Sequence, residues 1–277
     1  MPSVTLTCEQ LDHYREDGYL LLRAHEHNLV SPNDLYAWER EVHQWPRVKG
    51  KWMPYDEINQ NGERQLMRTE NFVDFHEGWK GLVCGKNLIG ILEQLSGQVS
   101  PRLYMGGWAL YLTLFGPSQE MLLFKDKINY KLPFGNGFQA HLDAPAYDHI
   151  GRIEHITANI AIDAATPENG CLEVVPGSHK MDVEFSHGGH ISEAWERAQF
   201  WVSVPLERGD MLIFGSHLAH RSARNLTSAK RASLYATYHM RSDGEDLRAK
   251  YYAHRRANFP PDHGKSPHCF GFFCGSS

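Results

Sequence analysis

The chain has 277 residues, 42% of them hydrophobic and 22% charged, a globular composition long enough to bury a substantial core. A net charge of −5 without a sustained basic stripe argues against nucleic acid or an anionic membrane as the primary partner. The N-terminus lacks the apolar core of a signal peptide, no apolar run is long enough to span a membrane, and Cys274-Gly-Ser-Ser is no peroxisomal address. Five scattered cysteines suit reduced thiols better than a disulfide framework, so a cytoplasmic location is expected.

No repeat, low-complexity segment or linker interrupts the chain before its last twenty or so residues. One domain is therefore expected over 1–277: a helical layer and first strands to about residue 100, a core over about 101–242, and a tail over about 243–277. The first ninety-odd residues read as helical. Thr7 opens a helix through a capping box with Gln10, Leu11 and Tyr14 recur at helical spacing, and Gly18 stops it. Ser31-Pro32 starts a second helix, with Leu35, Trp38 and Val42 on one face and Pro46 at its end. A third runs from about Asn87 to Leu95, carries Leu88, Ile91, Leu92 and Leu95, and stops at Gly97.

From about residue 103 the pattern changes to short strands: Trp108–Phe115, Leu122–Lys131, Phe138–Asp143, Ile156–Ile162, Leu172–Val175, Trp201–Val204, Met211–Phe214 and Ala232–His239. A helix is expected over Ser192–Phe200, and a wrapping or flexible segment from Phe259-Pro260-Pro261 onward. Eight such strands behind a helical layer predict a mainly β, double-sheet jelly roll with its site at the barrel mouth.

The chemistry concentrates in these strands. His141-Leu142-Asp143 is answered by His220, at the end of Gly209-Asp210-Met-Leu-Ile-Phe-Gly-Ser-His-Leu-Ala-His220. Two imidazoles and one carboxylate are the facial set that holds non-haem iron(II) while leaving positions open for a co-substrate and oxygen. Residues i and i+2 of a strand share a face, so His141 and Asp143 are expected to grip one ion from a strand. In Leu122–Lys131 the odd positions Lys125, Lys127, Asn129 and Lys131 are polar, while Leu122, Phe124, Ile128 and Tyr130 fall on the other face. The polar face then meets either solvent or a polar cavity. By the same parity Thr157 and Asn159 project together, and Gln139 faces the way His141 does.

Other histidines carry less. His217 precedes His220 by three on an extended segment and should not share its face. His179 belongs to a Pro176-Gly177-Ser178-His179 turn, and His187 and His190 to a Ser-His-Gly-Gly-His loop. His268, Cys269 and Cys274 lack the four-ligand spacing of a structural zinc site. The chain has no dinucleotide fingerprint, P-loop or Gly-x-Ser-x-Gly elbow.

Between the His-x-Asp and the distal histidine lies Asn169-Gly170-Cys171-Leu172-Glu173-Val174-Val175-Pro176-Gly177-Ser178-His179-Lys180. This run resembles the phytanoyl-CoA dioxygenase family. So do Thr7–Leu22, like the family's opening helix and strand, and the motif order over Lys125–Tyr238. Between roughly 45 and 120 the likeness is thin, and substrate-specific parts are expected there.

The resemblance implies a double-stranded β-helix (cupin-like) oxygenase that uses iron(II), 2-oxoglutarate and O₂, hydroxylates a C–H bond of a small molecule and releases succinate and CO₂. It carries the metal ligands onto His141, Asp143 and His220. The arginine that binds the distal carboxylate of 2-oxoglutarate falls on Arg231, an assisting hydroxyl on Ser222, and an asparagine set against the co-substrate on Asn129. Lys127, Gln139 and Asn159 are further cofactor-side candidates. A buried dicarboxylate suits a guanidinium, whose fork binds both oxygens at once. Related halogenases lack the carboxylate that Asp143 provides, which points to hydroxylation.

Substrate candidates are a product of secondary metabolism, a small amino or phosphonate acid, or an acyl-CoA. Arg68 and the lysines near 125–131 would suit an anion; Trp45, Trp52, Trp79 and Trp108 would suit an apolar body. The rivals are a non-catalytic metal- and 2-oxoglutarate-binding sensor and a cupin-like non-oxidative metalloenzyme. Arg231 in its His-x-Ser context counts against the second, which has no use for a co-substrate anchor. Both a monomer and a homodimer are compatible with the sequence.

Overall fold

In the computed structural model the described residues are 4–96, 120–151, 153–186 and 190–261, with the backbone of 102–105 and 108–111. The expected Gly97 stop, the strand end at 112–115, His187, and the tail from 262 with His268, Cys269 and Cys274 lie outside them, as does the side chain of Trp108.

Helix α1 (Cys8–Asp17) has the Thr7–Gln10 capping box and a left-handed Gly18 cap. Strand β1 (Tyr19–Leu22) and the one-turn α2 (Ala24–His27) lead to α3 (Pro32–His43), which Ser31 caps through its side chain. A hairpin follows, β2 (Met53–Ile58) and β3 (Arg64–Glu70), and then α4 (Glu77–Val83) and α5 (Lys86–Ser96). Strand β1 is the one expected within Thr7–Leu22, whereas the hairpin corrects the otherwise helical reading of the first ninety residues. The hairpin escaped notice because Arg-Gln-Leu-Met-Arg-Thr-Glu has no apolar alternation; its polar residues turn inward to meet β6 (Met121–Lys131), Arg68 opposite Asn129 and Glu70 opposite Lys127.

After the two-stranded pair β4 (Arg102–Met105) and β5 (Trp108–Tyr111) come β6, β7 (Phe138–His141), β8 (Ile156–Ala161) and β9 (Leu172–Val174). Helix α6 (Glu193–Ala198), capped by Ser192, precedes β10 (Val202–Val204), β11 (Met211–Gly215), β12 (His220–Ser222) and β13 (Arg231–Met240). The large antiparallel sheet has the order β1-β11-β8-β13-β6-β3-β2 and the small one β10-β9-β12-β7. The fold is the mainly β jelly roll that the strand pattern predicts.

Each face of the large sheet has its own core, as strand alternation requires. Ile128, Tyr130, Ala158, Ile160, Ile213 and Leu234 pack with the helical layer on Leu35, Trp79, Ile91 and Leu92. The other face sets Ala161, Leu212, Phe214 and Tyr235 against Leu172, Val174 and Val204 of the small sheet. The site lies on this second, inward face.

Two local irregularities shape it. The pairing of β6 with β13 slips between Thr237 and Tyr238, whose partners are Lys125 and Leu123. This bulge leaves Phe124 unpaired, and it packs with Tyr147, Ile153 and Tyr251, apart from the core that takes Ile128 and Tyr130. The even-position face expected for Phe124 is therefore corrected: an extra residue reverses the parity before it. The second irregularity is helix α7 (Leu247–Asn258), within the stretch expected to be tail. It buries Leu247, Tyr251, Tyr252 and Arg255, and Arg248 fixes it to Asp126 on β6 through a 2.6 Å ion pair.

Candidate metal centre and the pocket around it

Strand β7 ends at His141, and the chain turns there. Asp143 has helical backbone angles (φ −76°, ψ −33°) and leads a short 3₁₀ turn over Ala144–Tyr147. The expected Phe138–Asp143 strand is thus two residues too long, and a shared strand face is not what joins the two ligands. The turn, tied by the Ala144 N–H to the Ser216 carbonyl, directs the carboxylate back toward His141 instead. His141 Nε2 and Asp143 Oδ1 are 3.8 Å apart.

His220 enters from β12, which pairs with β7 so that His220 lies opposite His141. The donor atoms of His141, Asp143 and His220 lie within 4.8 Å of one another, a set able to hold one metal ion. Each ring is oriented by backbone two residues earlier: Nδ1 of His141 lies 2.7 Å from the Gln139 carbonyl and Nδ1 of His220 3.0 Å from that of Leu218. Nδ1–H donation to those carbonyls leaves both Nε2 lone pairs for a metal. Burial, with His220 beside it, pushes His141 down to about 3. Burial works to raise Asp143, but His220, His141, Lys127 and Lys125 together hold it below its ordinary value. Neutral imidazoles and an ionised carboxylate are the protonation states that ligation needs, so the donor set fits a divalent transition metal.

The Pro-Gly-Ser-His turn braces this centre. Ser178 Oγ accepts from the Ala219 N–H at 2.8 Å, immediately before His220, and His179 Nε2 meets the Arg15 carbonyl on α1 at 3.1 Å. A side chain at Gly18 would overlap the His179 ring, so α1 and the turn can close only over glycine. His217 points away to Glu154, at 3.1 Å, as its spacing predicts.

On one side of the ligands is a buried cationic pair. Arg231 and Lys131 are cross-strand neighbours at one end of β13 and β6. Lys131 Nζ donates to Ser222 Oγ (2.8 Å), Ala223 O (2.5 Å) and Gly170 O (3.3 Å); Arg231 donates to Gly170 O and, at 3.3 Å, to Ser233 Oγ. Gly170 has φ +75°, and a Cβ there would overlap the Ala223 carbonyl oxygen. This accounts for the Asn-Gly motif. Asn169 ties the loop to Ala164 and Thr166, and Gly170 brings its carbonyl to both cations. Burial, then Arg231, pushes Lys131 down to about 6. Two cations beside Ser222 with no acid between them suit a carboxylate.

The other candidates line the same inward face. Asn129 and Asn159 are buried, and the Oδ1 of each has no hydrogen-bond partner among the described residues. Lys127 lies 5.0 Å over the Tyr235 ring; burial lowers its pKa while Asp143 opposes. Gln139, on β7, is exposed, and it meets the centre through its backbone carbonyl, which His141 Nδ1 contacts at 2.7 Å. Thr157 Oγ1 is hydrogen-bonded to Thr237 Oγ1 on β13 at 3.0 Å.

Beyond Lys127 the structure gathers Arg68 and Lys125, which the sequence marked as suited to an anion, with Glu70, Arg255 and Tyr251, which it did not mark. Lys125 is 1% exposed, its Nζ 5.4 and 5.3 Å from the Tyr147 and Tyr251 rings. Glu70 is buried between Arg68 Nε (2.9 Å) and Arg255 Nη2 (3.2 Å). Burial works to raise Glu70, but Arg68, Lys125, Arg255 and Lys127 bring it down to about 2.

The comparisons agree with this geometry. The family model described as Phytanoyl-CoA dioxygenase matches residues 14–233. A protein named dioxygenase lolE1, from Epichloe uncinata, is 37% identical over 94% of this chain and 93% of its own. A 2-aminoethylphosphonate dioxygenase from an uncultured bacterium is 33% identical over 92% and 90%, and a methylphosphonate hydroxylase from Gimesia maris 36% over 93% and 89%. Among solved structures, EctD from S. alaskensis with 2-oxoglutarate and 5-hydroxyectoine superposes with a TM-score of 0.68 at 19% identity, covering 86% of this chain and 77% of that one. At that identity the likeness speaks for the fold.

Proposed function

The chain belongs to the phytanoyl-CoA dioxygenase family, and from that premise we propose that His141, Asp143 and His220 hold its iron and that Arg231 anchors its 2-oxoglutarate. The protein is a non-haem iron(II)- and 2-oxoglutarate-dependent dioxygenase acting on a small molecule. The observation that carries the site assignment is the convergence of three donors from β7, the following turn and β12, with both rings already oriented by backbone carbonyls.

When bound, iron(II) and 2-oxoglutarate supply oxidation of a substrate C–H bond by O₂, with succinate and CO₂ as co-products. The chain's own groups orient and screen. Arg231 offers a guanidinium to the distal carboxylate, Ser222 a hydroxyl, and Lys131 holds that hydroxyl in place while adding charge. Asn129 and Asn159 present unpartnered amide oxygens along the same face. Phe214, with its ring 5.0 Å from that of His220, helps keep water from the centre. Two relatives are named for phosphonates, which favours a small acid among the candidate substrates. No helix among the described residues is long and apolar enough to cross a membrane; with Cys8, Cys84 and Cys171 as free thiols, we place the reaction in the cytoplasm.

The test is an anaerobic titration of metal-free protein with iron(II) and then 2-oxoglutarate, following the weak visible charge-transfer band of the chelated keto acid. A band in the wild type, absent in His141→Ala and needing more 2-oxoglutarate in Arg231→Ala, is the expected result. Bound iron with no band would overturn the assignment.

A further inference from the structure

The site proposed above for iron and 2-oxoglutarate makes no use of Arg68, Lys125 or Arg255. Four basic side chains, Arg68, Lys125, Lys127 and Arg255, gather around one carboxylate, Glu70, whose near partners are the two arginines. Lys125 is left over. It is buried, and its Nζ has no hydrogen-bond partner among the described residues. Burial pushes the pKa of this ammonium well below its ordinary range, and Glu70 opposes that shift only in part. The faces of Tyr147 and Tyr251 offset part of that burial but accept no hydrogen bond from it. A residue kept only for packing would be methionine or leucine; a buried donor with nothing to donate to calls for another explanation.

The surroundings supply one. Lys125 and Lys127 project from β6 on the inward face of the large sheet, toward the small sheet that carries His141 and His220, and both exert their charge on Asp143. Tyr147 closes the group from the turn after Asp143, and Tyr251 from α7. Helix α7 lies beyond residue 233, where the family model ends.

We propose that Lys125, with Lys127 and Arg68, receives the anionic head group of the substrate, a small organic oxyanion of the phosphonate or carboxylate kind, and that Tyr251 of α7 closes over it. The proposal rests on the dioxygenase reading above, and it narrows the substrate class. The head group takes up the hydrogen-bonding capacity of Lys125, and the carbon attached to it lies toward Asp143. Lys125 then selects for charge, and the aromatic pair excludes water around it.

The experiment is calorimetric titration of methylphosphonate, acetate and the neutral dimethyl ester of methylphosphonate into anaerobic protein loaded with iron(II) and saturating 2-oxoglutarate. At least one anion should bind and the ester should not; the preferred anion tells a tetrahedral head from a planar one. Lys125→Met should weaken that anion at least tenfold, and Lys125→Arg should recover most of the loss. The visible band should be the same in all three proteins, which shows the fold and the iron site intact. Lys125→Met should also melt no lower than wild type, whereas a lysine retained for the fold would lower the melting temperature when replaced. An ester that binds as well as the anion, wild-type affinity in Lys125→Met, or no anion binding where the band is intact would each overturn the proposal. Loss of the band itself would instead count against the dioxygenase reading, and the same anion criteria would then be applied to the metal-free protein.

Discussion

The inward face of the large sheet carries buried cations at two places, and they are built differently. At one, Lys131 and Arg231 have their donors directed at fixed oxygens: Gly170 O, Ala223 O, Ser222 Oγ and Ser233 Oγ. At the other, Lys125 meets the faces of tyrosines and no acceptor, and the arginines share one glutamate. The first is preorganised before any ligand arrives, which suits a co-substrate that every turnover needs. The second is incomplete until an anion arrives, which suits the variable partner.

The largest effect that sharpens the contrast is removal of the centre itself. His141→Ala or Asp143→Ala should abolish iron binding and turnover, because a two-donor remnant no longer provides the facial set; metal content after anaerobic loading checks this. If either variant kept stoichiometric iron, the ligand assignment would be wrong. Next comes Arg231→Ala, which should raise the Kd for 2-oxoglutarate by about 100-fold while iron still binds. The basis is a charged hydrogen bond worth roughly 1.5–3 kcal/mol, with 1.4 kcal/mol per tenfold. Titration of the visible band measures it, and an unchanged requirement would dissolve the distinction between the two cationic groups.

How much of this was legible in the sequence follows the same division. His141, Asp143 and His220 could be picked out because the chemistry imposes residue types at fixed spacing, and the structure brings their donor atoms within 4.8 Å of one another. Arg231 and Ser222 came from the resemblance, and the structure sets Lys131 beside both. The reason offered for the His-x-Asp spacing was not the structural one, since Asp143 arrives from a turn. Helices α1, α3 and α5 were readable from caps and 3.6-residue periodicity. Of the second cationic group, Arg68 and the lysines near 125–131 were legible as residues suited to an anion, but their gathering with Arg255 around Glu70 was not. It depends on a bulge that flips Phe124, a hairpin without apolar alternation, and a helix 120 or so residues downstream of Lys125; none leaves a local signal. Lys131 was seen as polar but not as the support of Ser222, for the same non-local reason.

A smaller effect tests how rigid the preorganised end is. Gly170→Ala places a side chain where φ is +75° and the Ala223 carbonyl is already in contact. The backbone strain costs about 1–2 kcal/mol, and overlap adds about 1 kcal/mol more. Denaturant unfolding should show a loss of about 2–3 kcal/mol, with weakened 2-oxoglutarate binding, because the displaced carbonyl serves both cations. A loss of stability without any change in 2-oxoglutarate affinity would separate the Asn-Gly loop from the co-substrate pocket.

The smallest predicted effect is a fraction of a proton, and it reads the preorganised end most directly. Burial, and then Arg231, bring Lys131 in the folded protein down to about 6, against roughly 10.4 for an unperturbed lysine. Between those values the unfolded chain binds more protons than the folded one, so this group's contribution to stability is least favourable below about pH 6 and improves as pH rises from 6 toward 10. A carboxylate placed beside Lys131 and Arg231 reverses the imbalance, because an adjacent anion favours the ammonium form. Binding of 2-oxoglutarate at pH 7.5 should therefore take up part of a proton. The enthalpy measured in two buffers of different ionisation heat should differ, and the difference should vanish in Lys131→Met and shrink below pH 6, where Lys131 is already protonated. Identical enthalpies in the two buffers at pH 7.5 would mean that Ser222, Gly170 and Ala223 keep Lys131 charged on their own. The preorganised end would then hold its full positive charge before the co-substrate arrives, and the contrast with Lys125 would rest on hydrogen bonding alone.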